Sequence, residues 1–457
     1  MSENYILNNP AWLGEIPSHW DCKKIGSLFT ERKVKVSDKE YPPLSVAKIG
    51  VVPQLDTAVK TDAGDNRKLV RIGDFVINSR SDRKGSCGVS EHDGSVSLIN
   101  IVLTPRNLWN SRYVHYLLRS HPFSEEYYRN GRGIVADLWT TRYSEMKSIL
   151  LPVPPRPEQD QIVRFLDWKV SSINKLININ QKEIATLGEL KQNIITKCIT
   201  TGLNRNVEMK HSGNEWINYI PWHWTTVQLR RIYTVILGKM LSPAPINSQD
   251  SYEEYVCAKD VHFDGVDLSS LKKMWFSQTE KKQYEIRKGD LLIVEGGAGA
   301  GNAAIVYDLC GKSIYIQNSI HIVRSKSNQV MNKFLCYWIS SLVKRGYMKN
   351  ICSVATIPHY TKDKVLSTIM PLPPIKEQRD IVDYLDMKCE AIDNIIAKKY
   401  KQIQLLQELK TRLTSDVVTG KIDVLDVEIP ECEYMEETNL TEESNEQDYE
   451  DFKEEEA

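Results

Sequence analysis

The stretch with the most chemical promise is DLLIVEGGAGAGNAAIVY, residues 290–307, in which Gly296, Gly297, Gly299 and Gly301 follow a strand-like run. Glycines after a strand can let backbone N–H groups cradle a phosphate, which is the chemistry of a nucleotide loop. That fingerprint needs G-x-G-x-x-G opening a helix, with an acidic residue about 20 positions further on. Here the spacing is GG-x-G-x-G, and NAAIVYD continues as strand-like sequence. A turn or hairpin that brings backbone close to a partner fits these residues better, because glycine accepts positive φ. Other catalytic signatures are missing: there is no [DNS]-P-P-[YFW] motif, no P-loop and no HExxH. The nine His are isolated and the nine Cys include no CxxC pair, so neither a metal site nor a disulfide framework is expected.

Charge points to a binding role. Residues 426–457 hold 15 Asp or Glu and one Lys, which leaves residues 1–425 with 58 basic and 45 acidic side chains. A basic body favours a polyanionic partner, nucleic acid first, through phosphate contacts and counterion release. The acidic tail is too poor in apolar residues to fold alone and is expected to be a disordered, solubilising extension or a shield for the basic surface. No apolar run approaches the ~18–20 residues that span a bilayer. The N-terminus has neither a basic n-region nor an apolar h-region. A cytosolic protein with reduced thiols is expected.

These residues sit in a chain that repeats itself. Trp12, Ile16, Pro17, His19 and Trp20 recur as Trp216, Ile220, Pro221, His223 and Trp224, and YPPLSVAK (41–48) recurs as YEEYVCAK (252–259). VRIGDFVI (70–77) faces YEIRKGDLLI (284–293), YVHYLLRS (113–120) faces FLCYWISS (334–341), and LPVPPRPEQDQIVRFLD (151–167) faces MPLPPIKEQRDIVDYLD (370–386). A period above 200 residues is too long for a solenoid and describes a tandem pair of domains. Each copy opens with mixed α/β sequence that includes an amphipathic helix, near 111–129 and 330–348. It then continues into a Gly-poor stretch rich in Lys, Glu, Gln, Leu and Ile.

The Gly-poor stretches read as long helices. Pro157 suits the first turn and Glu158 complements the dipole there. Ile162, Leu166, Ile173, Ile177, Ile184, Leu187, Leu190 and Ile194 are matched 219 residues later by Ile381, Leu385, Ile392, Ile396, Ile403, Leu406, Leu409 and Leu413. Spacings of three, four and seven are those of a coiled-coil seam. Thr201-Gly202 and Thr419-Gly420 supply the stop signals. Two equivalent stripes most simply bury against each other, and the chain path between them favours an antiparallel pair.

The PPRPEQ and PPIKEQ segments resemble the conserved helix starts of type I restriction–modification DNA specificity subunits. MKHSGNEWINYIPWHW (209–224) resembles the beginning of a target recognition domain in that family, and Gly73-Asp74 and Gly289-Asp290 fit the same pattern. The resemblance runs from residue 11 to about 422; the first copy lacks the MKHSG lead-in, and the acidic tail is an addition.

What the resemblance implies is an α+β chain of two tandem mixed α/β target recognition domains, joined and separated by two long helices. The helices form an intramolecular antiparallel coiled coil with pseudo-two-fold symmetry. The domains would be 1–155 and 203–374, the spacer helices 156–202 and 375–422, and the acidic tail 423–457. Each recognition domain would read one half of a bipartite, asymmetric double-stranded DNA target. The helices would fix the spacing and dock two methyltransferase subunits, which restriction (translocase) subunits can join. The chain would be non-catalytic and without a cofactor of its own; S-adenosylmethionine, ATP and Mg would belong to the partner subunits. Rival readings are a nucleotide-binding enzyme using the 296–301 loop, and a coiled-coil protein scaffold.

Candidate DNA contacts are polar and basic loop residues. INSRSDRKGSCG (77–88) brings Ser79, Arg80, Arg83 and Lys84 together, and Arg can read guanine O6 and N7 while Lys more often meets phosphate. Thr140, Thr141 and Arg142, with His359, Tyr360 and Lys362 in the second copy, precede the helix joints and could meet the DNA backbone. Lys48 and Lys259, equivalent by repeat, are expected at phosphates. Asn302 in the Gly-rich loop suits an adenine edge.

Overall fold

The computed structural model describes residues 10–55, 64–106, 109–133, 139–351 and 358–430. Residues 431–457, most of the acidic tail, lie outside the described residues. Two compact units emerge: residues 1–182 with 399–457, and residues 183–398. Each unit thus owns one α/β part, the start of one long helix and the end of the other.

In the first unit an antiparallel sheet is ordered Phe29–Glu31, Asn100–Pro105, Phe75–Asn78, Cys87–Val89. Alternation along a strand sends successive side chains to opposite faces. Phe75, Ile77, Ile101 and Leu103 join the main core, while Val76 and Val102 join a smaller one with Leu44, Val51, Val70 and Val96. Both faces are buried, which is why these strands read as continuous apolar runs. The second unit repeats the plan with Tyr233–Leu237, Ile320–Ser325, Leu291–Val294 and Ala303–Ile305.

The Gly-Asp turns that lead into these sheets have a physical cause. Gly73 and Gly289 take φ of +85° and +88°, a region open to glycine. Asp74 accepts the Arg71 N–H at 2.9 Å and two Arg32 guanidinium N–H groups at 2.8 and 3.0 Å. Asp290 accepts the Arg287 N–H and two Arg324 N–H groups, all at 2.7 Å. The two copies satisfy the same buried carboxylate with arginines from different places, Arg32 just after Phe29–Glu31 and Arg324 within Ile320–Ser325.

The amphipathic helices expected over 111–129 and 330–348 are each broken in two. Ser111–Arg119 gives way to His121–Arg129 because Ser120 is extended and Pro122 sits in the next first turn. Asn332–Lys344 stops at Gly346, whose φ is +82°, before Tyr347–Ile351.

The long helices are Arg156–Thr201 and Ile375–Val418. In the first unit Gln161 donates to Val424 O and Lys410 to Asn174 Oδ1, so the two chain segments run antiparallel. In the second unit Lys191 meets Asp393, and the end of one helix and the start of the other share a tryptophan, so the sense is again antiparallel. Ile162, Leu166, Ile173 and Ile177 are buried as the periodicity predicts, and so are Ile381, Leu385, Ile392 and Ile403. Leu190 and Leu409 are not: they are 47% and 51% exposed. A helix of 3.6 residues per turn drifts about 20° per heptad against a 3.5 repeat, and over this length the drift carries those positions out of the seam.

Each Glu-Gln pair is a joint between α/β part and helix. Trp20 Nε1–H donates to Glu158 at 2.8 Å, and His19 lies 2.9 Å from the other carboxylate oxygen. Trp224 and His223 hold Glu377 likewise, at 2.9 and 2.7 Å. Gln159 accepts the Asn110 N–H and donates to Pro154 O, fixing the Ser111–Arg119 helix; Gln378 does the same with the Met331 N–H and Pro373 O. About two turns beyond these, Asp167 takes bonds from Arg112 and Tyr116, and Asp386 from the Tyr337 hydroxyl. The stop glycines close the joint. Gly420 packs on Pro17 and Trp20 in the first unit, and Gly202 on Trp224 in the second.

Candidate nucleic-acid interface

Loops that are distant in sequence come together at one end of each sheet. In the first unit the 79–86 loop connects Phe75–Asn78 to Cys87–Val89 and meets the segment before the helix joint. Arg80 bridges Thr140, Thr141 N–H donates to Ser79 O at 2.9 Å, and Ser81 N–H donates to Trp139 O at 3.1 Å. In the second unit the 295–302 loop connects Leu291–Val294 to Ala303–Ile305. Gly296 bridges His359, and Tyr360 N–H donates to Glu295 O at 2.6 Å. The two groups of candidate residues in each copy therefore adjoin.

The two loops are closed in the same way. Asn78 N–H donates to Ser86 O, and Val294 N–H donates to Asn302 O at the equivalent positions. Gly85 and Gly301 both take positive φ, +83° and +87°. SRSDRKGS and EGGAGAGN thus align residue for residue without a gap, although Ser81–Arg83 is a 3₁₀ turn where Gly297 takes a φ of +83°. The Gly-rich segment closes an antiparallel hairpin and opens no helix, so it lacks the geometry of a dinucleotide loop.

Not every candidate reaches the surface. Thr141 and Tyr360 are fully buried and Ser79 is buried. Thr141 exchanges hydrogen bonds with Tyr127, and the Tyr360 hydroxyl pairs with Thr368 at 2.6 Å. These three position the loops and do not face a ligand, which corrects the expectation of direct contact. Arg80, Arg83, Lys84, Arg142, His359 and Lys362 are exposed, and Thr140 and Asn302 half-buried. Lys84 is engaged by Glu125 and lies 5.8 Å from the centre of the Tyr128 ring. Among the described residues Arg80 and Arg83 have no acidic partner. Lys48 and Lys259 are exposed but occupy different local structures. Lys48 lies in the tight turn between Leu44–Ala47 and Gly50–Pro53, its carbonyl accepting from Arg119; Lys259 lies in the 3₁₀ turn Ala258–Asp260.

Two residues escape the sequence reading. Arg132, largely exposed, also bridges Thr140. Glu295, its side chain 18% exposed, lies beside the fully buried His321, and burial pushes its carboxyl up while the nearby His359 opposes that. Burial pushes the His321 imidazole down to about 4, so it sits neutral with Nε2 3.0 Å from Tyr360 O. Continuing the 216-residue offset of the Gly-Asp turns through the loops would have flagged Glu295.

The chain is therefore a duplicated α/β protein whose two units carry matching loop clusters and each hold antiparallel segments of the long helices. Residues 221–405 match the family model of the type I restriction modification DNA specificity domain. The chain is 23% identical over 437 residues to the putative type I restriction enzyme MjaX specificity subunit of Methanocaldococcus jannaschii, covering 90% of this chain and 96% of that protein. It is 20% identical over 437 residues to the EcoKI specificity subunit of Escherichia coli K12, covering 90% of each. A solved chain described for complex assembly and conformational transition of the type I restriction–modification system shares the fold. That match has a TM-score of 0.66 at 15% identity, over 89% of this chain and 99% of the other. Over most of its length the chain is thus similar to type I restriction enzyme specificity subunits, and residues 221–405 carry the matching domain. Among the described residues no helix is long and apolar enough to cross a membrane.

Proposed function

We propose that this chain is the sequence-reading subunit of a type I restriction–modification complex. Each loop cluster reads one half of a split, asymmetric duplex target, and the helix pair sets the spacing between the halves. The observation that carries this reading is the eight-residue loop, closed by the same hydrogen bond, which occurs twice in one chain with different side chains on it. One such loop with two side-chain sets is what two different half-sites require, since base edges and not phosphates distinguish sequences.

The same reading has two methyltransferase subunits docking on the helices, with restriction subunits joining them in the cytosol. Catalysis and its cofactors, S-adenosylmethionine, ATP and Mg, then belong to those partners. Support comes from apolar residues exposed at equivalent positions: Leu176 and Ile395 at 49% and 44%, and Leu190 and Leu409. A repeated apolar face suits two copies of one partner.

The test is binding of the full chain, co-expressed with its methyltransferase, to randomised duplexes at graded salt. One bipartite sequence should be selected, with the central spacer tolerant of base changes but not of length. Tight ATP or NAD binding by the chain alone, without DNA selection, would sink this reading.

A further inference from the structure

We infer that the two eight-residue loops read their half-sites by opposite chemistry, donors in the first unit and an acceptor, Glu295, in the second. This inference rests on the DNA-reading role proposed above. Aligned without a gap, Arg80, Arg83 and Lys84 stand where Gly296, Gly299 and Ala300 stand, and buried Ser79 stands where Glu295 stands. The first loop carries three cations and Asp82; the second carries Glu295 as its single ionisable side chain.

The bridge at the base of each loop shows the same exchange. Arg80 lies opposite the small Thr140, whereas Gly296 lies opposite His359. A Cβ at Gly296 would stand 2.8 Å from the His359 ring, so the imidazole occupies the volume that a side chain at this position would need. The large side chain comes from the sheet loop in the first unit and from the facing loop in the second.

Chemistry follows from these inventories. A guanidinium donates only, and the major-groove edge that offers two acceptors is that of guanine. The 295–302 loop offers no cationic donor, and its glycines admit close approach of backbone to the duplex. An ionised Glu295 accepts only, and the bases that present an exocyclic amino group in the major groove are cytosine and adenine. The first half-site is therefore read at a guanine through Arg80, and the second at an amino-bearing base through Glu295.

The experiment maps base preference at every target position for the full chain with its methyltransferase, comparing wild type with R80A, E295Q and E295A. Expected for R80A is a roughly ten- to hundredfold loss of discrimination at one guanine of one half-site. The other half-site should be untouched. E295A should erase a cytosine or adenine preference in the other half-site alone, and E295Q, which adds an amide donor, should shift or relax it. Thermal melting identifies any folding loss in E295A, in which case the near-isosteric E295Q decides. Unchanged preferences in E295Q, or binding weakened equally for all sequences, would overturn the assignment. A wild-type chain that selects no bipartite sequence would instead defeat the DNA-reading role itself.

Discussion

Lys191 and Lys410 occupy the same position in the two long helices, yet they meet different partners. Lys191 Nζ lies 2.7 Å from both oxygens of Asp393, whereas Lys410 lies 3.4 Å from the Asn174 amide oxygen, which carries no charge. Burial, with Arg119 adding to it, pushes the Lys410 ammonium down to about 8. Its ordinary value is 10.5, so the folded state holds fewer protons than the unfolded one between those values. The resulting destabilisation is complete below about pH 8 and fades as pH rises towards 10.5. Asn174→Asp would restore the carboxylate found in the other half. It should raise stability by about 1 kcal/mol at pH 7, with the gain vanishing as Lys410 deprotonates at high pH. Melting temperatures of the variant and the parent at pH 7 and pH 10.5 check both points. The joint makes a second residue-level prediction. Glu158→Ala leaves the Trp20 indole N–H buried without its acceptor, which costs about 1–3 kcal/mol. His19→Ala should cost less, because the His19 side chain is 53% exposed. Chemical denaturation followed by tryptophan fluorescence separates the two.

At the scale of elements, the stop glycines show how one short signal serves two ends. Gly202 and Gly420 end their helices at φ of +74° and +76°, where an L-residue costs roughly 1–2 kcal/mol. A Cβ at Gly420 would also stand 2.4 Å from Pro17 Cδ, whereas at Gly202 the nearest atom, in Trp224, is 3.2 Å away. Gly420→Ala should therefore lower the melting temperature more than Gly202→Ala, although the backbone angles match. Equal losses would mean that the Trp and Pro packing plays no part. Both glycines, the Glu-Gln pairs and the buried first halves of the seams were legible in the sequence, because capping and periodicity are local rules. The helix breaks were less so: Pro122 was visible, but the apolar spacing carries on through it. Leu190 and Leu409 misled because drift accumulates only over several turns. Pairing of the 79–86 loop with Thr140, and of the 295–302 loop with His359, is a tertiary fact without a periodic signature. So is the burial of Thr141 and Tyr360, whose neighbours Arg142 and Lys362 remain exposed.

At the scale of the whole molecule, each long helix begins in one unit and ends in the other, so both contribute to any spacing function. The Asn174–Lys410 and Lys191–Asp393 pairs fix the register on either side of the helix midpoints. Deleting one heptad from a single helix between them, for example residues 180–186, displaces one pair relative to the other. That variant should lose stability and DNA binding together. Deleting 180–186 and 398–404 at once keeps both pairs in register, and it removes about 10 Å of helix from each strand of the brace. At 3.4 Å per base pair, the preferred spacer of the bipartite target should shorten by roughly three base pairs. Neither half-site sequence should change, since Arg80, His359 and Glu295 are untouched. Selection from duplexes carrying spacers of every length checks this directly. A preferred spacer that does not move in the paired deletion would show that the helices brace the units without measuring the target. A change in half-site sequence would show that reading and spacing are not separable in this chain.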